Sequence, residues 1–472
     1  MSRYLIMILL PCLISLSACQ KASRQSSSIK QDEFIQVYFN QREGDRIYTD
    51  PYRHVERDGD DLEAIIIAEI LTAKSTIDIA VHEFELPLIA QALVKSHRSG
   101  VEVRLILDNN YSRPLSELND TEIEQLNQRD RTSYEEFVTL VDPNGDRNIS
   151  QAEIAQGDAL VILDNAGIPV IDDTADGSKG SGLMHHKFMV VDGATVIAGS
   201  ANWTLSDLHG DLSNLETRGN ANHILKINNA KLASLFTEEF DYMWGDNSKG
   251  GLNSEFGLGK LWRSPETVVW KDTSVTVQFS PTSTTRDWSL SGNGLIGQAI
   301  DNATDAIDLA LFVFSEQEIA NLLEQKQQQG VKIRGVFDPG FAFRYYSEVL
   351  DLLGVSLKNR CRYEPNNSPW QVPLQTIGVP QLIMGDKLHH KFASIDDKVT
   401  ISGSQNWSEA ANSTNDEVVI VIDNLIVANH FQQEFNRLYN SASLGLPQST
   451  QTKVKTQQKK CKSDTTVGKL SR

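Results

Sequence analysis

Short apolar, β-branched runs alternate along this chain with segments of helix length, and the alternation occurs twice. Ala73-Lys74-Ser75-Thr76-Ile77-Asp78-Ile79-Ala80 is followed by a helix-length stretch, Leu86 to Arg98, and then by Gly100-Val101-Glu102-Val103-Arg104. The same order returns 230 residues later as Ala303-Thr304-Asp305-Ala306-Ile307-Asp308-Leu309-Ala310, Ser315 to Gln328, and Gly330-Val331-Lys332-Ile333-Arg334, with Asp108 matching Asp338. Strand–helix–strand units with apolar strands predict a buried sheet in an α/β fold. The chain of 472 residues is long enough for two such domains.

The repeat continues into a motif that carries chemistry. His185-His186-Lys187-Phe188-Met189-Val190-Val191-Asp192 leads, after six residues, to Gly199-Ser200-Ala201-Asn202-Trp203. His389-His390-Lys391-Phe392-Ala393-Ser394-Ile395-Asp396 leads in the same way to Gly403-Ser404-Gln405-Asn406-Trp407. Residues two apart in an extended strand share a face, so each His lies beside its Lys. Imidazole, ammonium and amide on one surface suit a phosphate, as nucleophile or acid, cationic clamp and neutral donor.

The offset between the copies has dropped to 204 at the motifs, so the first half carries 26 extra residues before its histidines. It is 195 where Phe236, Glu239 and Phe240 match Phe431, Glu434 and Phe435, so nine more follow the motif. These offsets predict a first domain over 34–246, a linker over 247–272 and a second domain over 273–445.

The two H-x-K-x4-D-x6-G-S-x-N copies resemble the phospholipase D superfamily, whose members join two such motifs into one site. The resemblance implies two homologous α/β domains, each a central mixed sheet flanked by helices, related by a pseudo-two-fold axis. It implies a two-step reaction in which one His attacks phosphorus and the other protonates the leaving alcohol. The implied catalytic set is His185, Lys187, Asp192, Asn202, His389, Lys391, Asp396, Asn406 and Glu417, with no cofactor. Asp192 and Asp396 stand a strand away from their His, which also fits a structural role. Ser200 and Ser404 are either further donors or turn residues. Asn415-Asp416-Glu417 matches the family's downstream N-x-E and makes Glu417 the expected partner of His389. The first half offers Asn220-Ala221-Asn222 at that place, or Asn214-Leu215-Glu216 if the second insertion is split. The simpler alignment favours the second motif as nucleophile, whereas the family usually assigns it to the first.

The N-terminus bears on location. Arg3 precedes an apolar run from Tyr4 to Leu16, too short for a membrane span, and Leu16-Ser17-Ala18-Cys19 resembles a bacterial lipobox. The expectation is a signal peptide over 1–18, lipidation at Cys19, a polar tether over 19–33, and an outer-membrane lipoprotein of the cell envelope. A plain secretory signal is the alternative. The other cysteines are Cys12, Cys361 and Cys461, which is no disulfide scaffold and no zinc pattern, although Cys361 and Cys461 could pair.

Net charge is −18, and the last 22 residues hold seven Lys or Arg against one Asp, which leaves −24 on the rest. So acidic a body disfavours nucleic acid as partner without excluding it. The tail over 446–472 lacks apolar periodicity and is expected to be disordered.

Inside the larger insertion, at about 130–157, Asp142-Pro143-Asn144-Gly145-Asp146-Arg147-Asn148-Ile149-Ser150-Gln151-Ala152-Glu153 resembles an EF-hand loop. Asp142, Asn144, Asp146, the Asn148 carbonyl, Ser150 and Glu153 would supply the oxygens for Ca²⁺. Arg147 stands where the family has Gly. A turn followed by a capping box, Ser150 to Glu153, is the alternative.

A monomeric phospholipase D acting on glycerophospholipid is therefore expected, anchored to the membrane by its lipid. A nuclease of the superfamily, a cardiolipin synthase-like transferase and a calcium-dependent surface-binding module are the alternatives. Trp370, Phe341, Phe343, Tyr345 and Tyr346 are either interfacial aromatics or packing residues.

Overall fold

The computed structural model describes residues 29–43, 47–146 and 148–467. The signal segment, Cys19 and Arg147 lie outside the described residues. Among those described, no helix is long and apolar enough to cross a membrane.

Two sheets repeat one strand order. The first runs Ile35–Phe39, His223–Asn228, Thr195–Gly199, Lys187–Val191, Thr76–Val81, Glu102–Leu107, Val170–Asp172. The second runs Thr273–Phe279, Val418–Asp423, Val399–Gly403, Lys391–Ile395, Ala306–Leu311, Lys332–Phe337, Ile377–Val379, with Glu266–Trp270 and Ser443–Leu444 added at its two edges. In the first sheet Thr76–Val81, Glu102–Leu107 and Val170–Asp172 are parallel and the other neighbours antiparallel, so the sheet is mixed as expected. The first parallel pair needs a crossover, which the helix Pro87–Arg98 supplies.

Strand alternation divides each motif strand between two cores. Phe188 and Val190 point into a core shared by both halves, while Met189 and Val191 face the outer helices of the first half. Phe392 enters the same shared core, and Ala393 and Ile395 face outward in the second half. The helices Ala230–Trp244 and Leu425–Asn440 complete the shared core with Phe236, Phe240, Phe431 and Phe435. A continuous apolar core between the sheets makes the halves one body, and the sites at their seam inherit its rigidity.

The polar residues inside these strands pair across the parallel register. Asp78 is the partner of Arg104, with Nε to Oδ1 at 2.7 Å, and Asp308 is the partner of Arg334 at the same distance. Each guanidinium also lies over an aromatic ring, Arg104 over Phe240 and Arg334 over Phe435.

One expectation is corrected and one pair of alternatives is decided. The polar tail is a helix, Gln448–Val467, held by the Cys361–Cys461 disulfide and by two hydrogen bonds between Gln457 and the Lys358 backbone. Its composition gives no apolar face because a covalent link and side-chain bonds, rather than burial, hold it in place. Trp370 is only 3 % exposed and packs in the core of the second half, so it is not an interfacial residue.

The linker is more than a tether. Its Glu266–Trp270 strand extends the second sheet, and buried Lys260 sits between Glu239 of the first half and Asp416 of the second, 2.6 Å from the latter.

Candidate active site

Each motif histidine is positioned by the opposite half. The segment before the first motif pairs with the second half's N-x-E segment: Gly182 N donates to Thr414 O, Asp416 N to Leu183 O, and His185 N to Asp416 O, at 2.8–2.9 Å. Symmetrically, Ala221 N donates to Lys387 O and His389 N to Ala221 O, at 2.7 and 3.1 Å. Asp108 and Asp338 stabilise these segments through the Met184 and Leu388 N–H groups, both at 3.0 Å. Sequence reasoning paired these two aspartates without finding that role.

The crossing overturns one expectation. Glu417 does not hold His389; its Oε2 lies 2.8 Å from His185 Nδ1. His389 Nδ1 is instead 3.0 Å from Asn222 Oδ1. Asn222 is thus the counterpart of Glu417, and the insertion falls before it. Asn214-Leu215-Glu216 lies in an exposed loop, with Glu216 N donating to Asn214 Oδ1. With Nδ1–H engaged on each ring, Nε2 is the free nitrogen. The carboxyl group therefore stands behind the first motif's histidine and the amide behind the second's.

The remaining motif residues sort into two groups. Lys187 and Lys391 begin their strands, and each ammonium donates to the carbonyl of its own motif histidine at 2.8 and 2.7 Å. Asn202 and Asn406 lie at equivalent places, each with a buried side-chain oxygen that meets no hydrogen-bond partner among the described residues. Ser200 and Ser404 are supporting donors: Ser200 Oγ donates to Asn222 Oδ1 at 2.8 Å, and Ser404 hydrogen-bonds Glu417. The motif glycines admit this packing. A Cβ on Gly199 would meet His223 O at 2.2 Å, and one on Gly403, at φ +126°, would meet Val418 O at 2.1 Å.

Asp192 and Asp396 are corrected to structural residues. Asp192 accepts from the backbone N–H of Lys74, Ser75 and Thr76, and Asp396 from those of Thr304, Asp305 and Ala306. They bind the start of the neighbouring strand, at the far end of the motif strand from the histidine. Charge-assisted bonds to three N–H groups satisfy such a carboxylate fully.

Burial dominates the electrostatics. It holds His185 well below the usual imidazole value, and Lys187, His82, Lys391 and His389 lower it further. His389 is lowered in the same way by burial, then by Lys391, Lys187, Lys387 and His390. Each histidine therefore feels the other half's lysine. Burial also pushes Lys187 down to about 8, against the attraction of Glu417, Asp207 and Glu83. Burial and Lys187 together lower Lys391. Burial pushes Glu417 up to about 8, against Lys187, Ser404, Asn415 and Lys391. Two buried lysines, both lowered by burial and one further by the other, form a site that an anion would stabilise.

The cleft is lined differently on its two sides. His82 packs edge-on against His185 at 4.8 Å between centroids, and Phe312 packs against His389 at 4.7 Å. Behind them stand Tyr111 and Phe341, at 4.9 and 4.6 Å. Of the residues weighed as interfacial, Phe341 thus supports the site, while Tyr345 is exposed.

In the insertion, the helices Gln128–Val141 and Gln151–Gly157 flank the acidic loop. Asp142, Asn144 and Asp146 each accept a backbone N–H two or three residues on. Ser150 and Glu153 form the reciprocal capping box, and Glu153 Oε1 also takes Asn144 Nδ2 at 2.6 Å. Asn144 is thus drawn onto Glu153 with the box already made, and among the described residues no group of three or more His, Cys, Asp or Glu side chains is gathered to hold a metal ion.

The comparisons agree with this architecture. The family profile described as "Cardiolipin synthase, PLD-like domain" matches residues 66–244 and 296–439. The chain belongs to the phospholipase D superfamily. It is similar to the mitochondrial cardiolipin hydrolase of Xenopus laevis, 26% identical over 188 residues, which is 40% of this chain and 63% of that protein. The Homo sapiens enzyme of that name is 27% identical over 142 residues, 30% of this chain and 48% of the relative. The chain thus spans less than two thirds of the length of these relatives. Among solved structures, phosphatidylserine synthase of Haemophilus influenzae Rd KW20 superposes with a TM-score of 0.54 at 14% identity, covering 93% of this chain and 95% of that one. That likeness concerns the fold. Nuc from Salmonella typhimurium, a phospholipase D family member, covers 44% of this chain and 93% of its own at 22% identity, with a TM-score of 0.25.

The lysine environment gives a pH signature. Protonated Lys187 should be lost from the free enzyme as pH rises through about 8, so kcat/KM should fall above that pH. A bound phosphodiester anion raises the lysine pKa, so kcat should hold to higher pH than kcat/KM. Steady-state kinetics on a phosphodiester across this range reads both. A kcat/KM that stays flat to about pH 10 would remove the lysines from anion binding.

Proposed function

We propose that the protein is a phospholipase D-type phosphodiesterase that hydrolyses glycerophospholipid through a phosphohistidine on His185. The observation that supports it most is the crossed arrangement, in which Glu417 faces His185, Asn222 faces His389, and both lysines act on both rings. The Nε2 lone pair of His185 attacks phosphorus, and the ester P–O bond breaks. His389 delivers its Nε2 proton to the departing alkoxide. It is neutral while the site is empty, and the incoming anion favours its protonated form. In the second step His389 takes a proton from water, the hydroxide adds to phosphorus, and the P–N bond breaks to release His185. Lys187, Lys391, Asn202 and Asn406 face the non-bridging oxygens as charge builds.

A lipid fits the surroundings better than a nucleic acid. The insertion forms a groove of about 520 Å³ beside Glu83 and Tyr111, lined by Leu118, Leu126, Phe137 and Leu140 and by the acidic Glu85, Asp130 and Asp158. Apolar walls suit acyl chains, and carboxylates there oppose a polyanion. Leu215 and Met384 are 56 % and 88 % exposed on two loops joined by a hydrogen bond from Asn214 Nδ2 to Met384 O, an apolar rim suited to a bilayer surface. A transferase would use the same first step with an alcohol in place of water. Vesicles of phosphatidylcholine, phosphatidylethanolamine and cardiolipin, each with and without added primary alcohol, should be assayed beside DNA. We expect phosphatidic acid as product from at least one lipid, and turnover lowered about 10³-fold or more in His185→Ala and His389→Ala. Cleavage of DNA alone would replace the lipid reading with the nuclease. Near-normal turnover in either variant would end the two-histidine mechanism.

For location, we propose a lipoprotein of an oxidising envelope, anchored through Cys19. The Cys361–Cys461 pairing supports such a compartment. Mass spectrometry of the mature N-terminus should find a diacylglyceryl-modified Cys19; a chain cut elsewhere and unmodified would favour plain secretion.

For the insertion, we propose that Ca²⁺ is held by Asp142, Asn144, Asp146, Ser150 and Glu153 with the Asn148 carbonyl, and that it stabilises the helix pair without entering the chemistry. The convergence of Asn144 on Glu153 supports this. Binding requires Glu153 to leave its capping bonds, which makes weak affinity the expectation, about 10⁻⁴ to 10⁻³ M. Millimolar calcium should raise the melting temperature relative to chelator, and Glu153→Gln should abolish the difference. A melting curve indifferent to calcium would leave the capping box as the loop's whole function.

A further inference from the structure

The two halves do not support their histidines with the same residues. His185 has one partner, Glu417, whose carboxyl group lies 2.8 Å from Nδ1 and, when ionised, joins hydrogen bond and charge in one residue. His389 has Asn222, which supplies the hydrogen bond alone. A carboxylate nevertheless stands beside it: Asp207 Oδ2 lies 3.6 Å from His389 Nδ1. That separation is too long for a hydrogen bond and short for a charge contact. By the offset of 204 that relates the motifs, the counterpart of Asp207 is Ala411. The first half therefore has a carboxylate at 207 and an amide at 222, where the second has Ala411 and Glu417.

We propose that Asp207 is the positioning carboxylate of His389, standing beside its ring as Glu417 stands beside His185, while Asn222 keeps only the hydrogen bond. Asp207 is held for this purpose. Its Oδ2 accepts from Asn202 N at 2.7 Å and its Oδ1 from Asn220 Nδ2 at 2.6 Å, with only 2 % of the residue exposed. Asn222 Nδ2 in turn donates to the Asp207 carbonyl at 3.2 Å, so the amide and the carboxylate move as one unit. Burial raises the Asp207 carboxyl above its usual range and Glu83 adds to this, while Asn220, the Asn202 N–H and Lys391 favour its ionised form. The groups that act most strongly on His389 are cationic or imidazole, namely Lys391, Lys187, Lys387 and His390, with His185 across the cleft. The other carboxylates nearby are Asp338, held by the Leu388 N–H, and Glu83 and Glu417, which act on Asp207 and Lys391. A histidine that must accept a proton among three lysines needs a counter-charge, and Asp207 is the carboxylate closest to its ring that the structure records.

This rests on the two-histidine reading, so the test has one arm that needs no turnover. Full-length wild type, Asp207→Asn, Asn222→Glu and the double variant are compared. The first arm follows the His389 imidazole by histidine NMR against pH in inorganic phosphate, with His389→Ala identifying its resonance. The second measures kcat and KM on bis(p-nitrophenyl) phosphate. Asp207→Asn should shift the His389 titration down by about one unit and lower kcat about 10- to 100-fold, with KM within about twofold. Asn222→Glu in the same chain should restore both, because Ser200 stands ready to hold a glutamate as Ser404 holds Glu417. A folded Asp207→Asn with unchanged titration overturns the proposal, as does a double variant that is unfolded or unrestored, since tying Asn202 and Asn220 would then be the whole role of Asp207. If wild type turns over neither this probe nor lipid, the enzymatic reading fails, and the titration arm still decides Asp207.

Discussion

Five backbone hydrogen bonds across the seam fix everything else at this site. The segment entering the first motif pairs with Asp416 and Thr414 of the second half, and the segment entering the second motif pairs with Ala221 of the first. Both motif strands begin where these bonds end, so Lys187 and Lys391 enter the cleft from opposite sides. The shared core of Phe188, Phe392, Phe236 and Phe431 gives the pairing a rigid backing. Lys260, between Glu239 and Asp416, adds an ionic link at the same seam. Without the crossing, each half would hold a histidine and a lysine with no group to orient the ring.

That crossing also explains what the sequence could and could not reveal. Offsets of 230, 204 and 195 located the repeats, the two insertions and the residue equivalent to Glu417, because duplication leaves a linear record. Which histidine Glu417 serves is a matter of three-dimensional pairing, and a linear alignment assigns it to its own half. Asp192 and Asp396 illustrate a different limit. Their fixed spacing from the motif His reflects the length of a strand, since they bind the start of the neighbouring one. Trp370 could not be placed from its Pro-rich surroundings, because the core that buries it is assembled from distant strands. The tail escaped for want of periodicity, which reports burial and not a disulfide.

The insertion changes the symmetry of the cleft more than its chemistry. Helices Asp120–Gln125 and Gln128–Val141 wall a groove on the first half's side alone, while the reacting groups remain paired. A diester with two unlike substituents would then bind in one orientation, and orientation is what distinguishes a nucleophile from an acid in a site built from two similar halves. The unequal partners of the two rings act in the same direction. Glu417 contacts the His185 ring directly and, on the proposed mechanism, would when ionised favour positive charge there as the P–N bond forms. At His389 the hydrogen bond and the nearby carboxylate come from different residues, which would suit a ring that gains and loses a proton in the proposed cycle.

Because partners are exchanged, each half answers for the histidine it does not contain. The groups around His389 at this seam, Asn222, Asp207 and Ser200, all belong to the first half, and those around His185, Glu417 and Ser404, belong to the second. An amide at 222 in place of a glutamate weakens the support of a histidine some 167 residues away. Its proposed remedy lies nearby, in the same half. Asp207 meets this condition: it stands on the same side of the cleft, joined to Asn222 through its own carbonyl. The divergence of the two repeats is therefore not a loss on one side. It is a redistribution within one half, forced by a geometry in which neither half can support its own histidine.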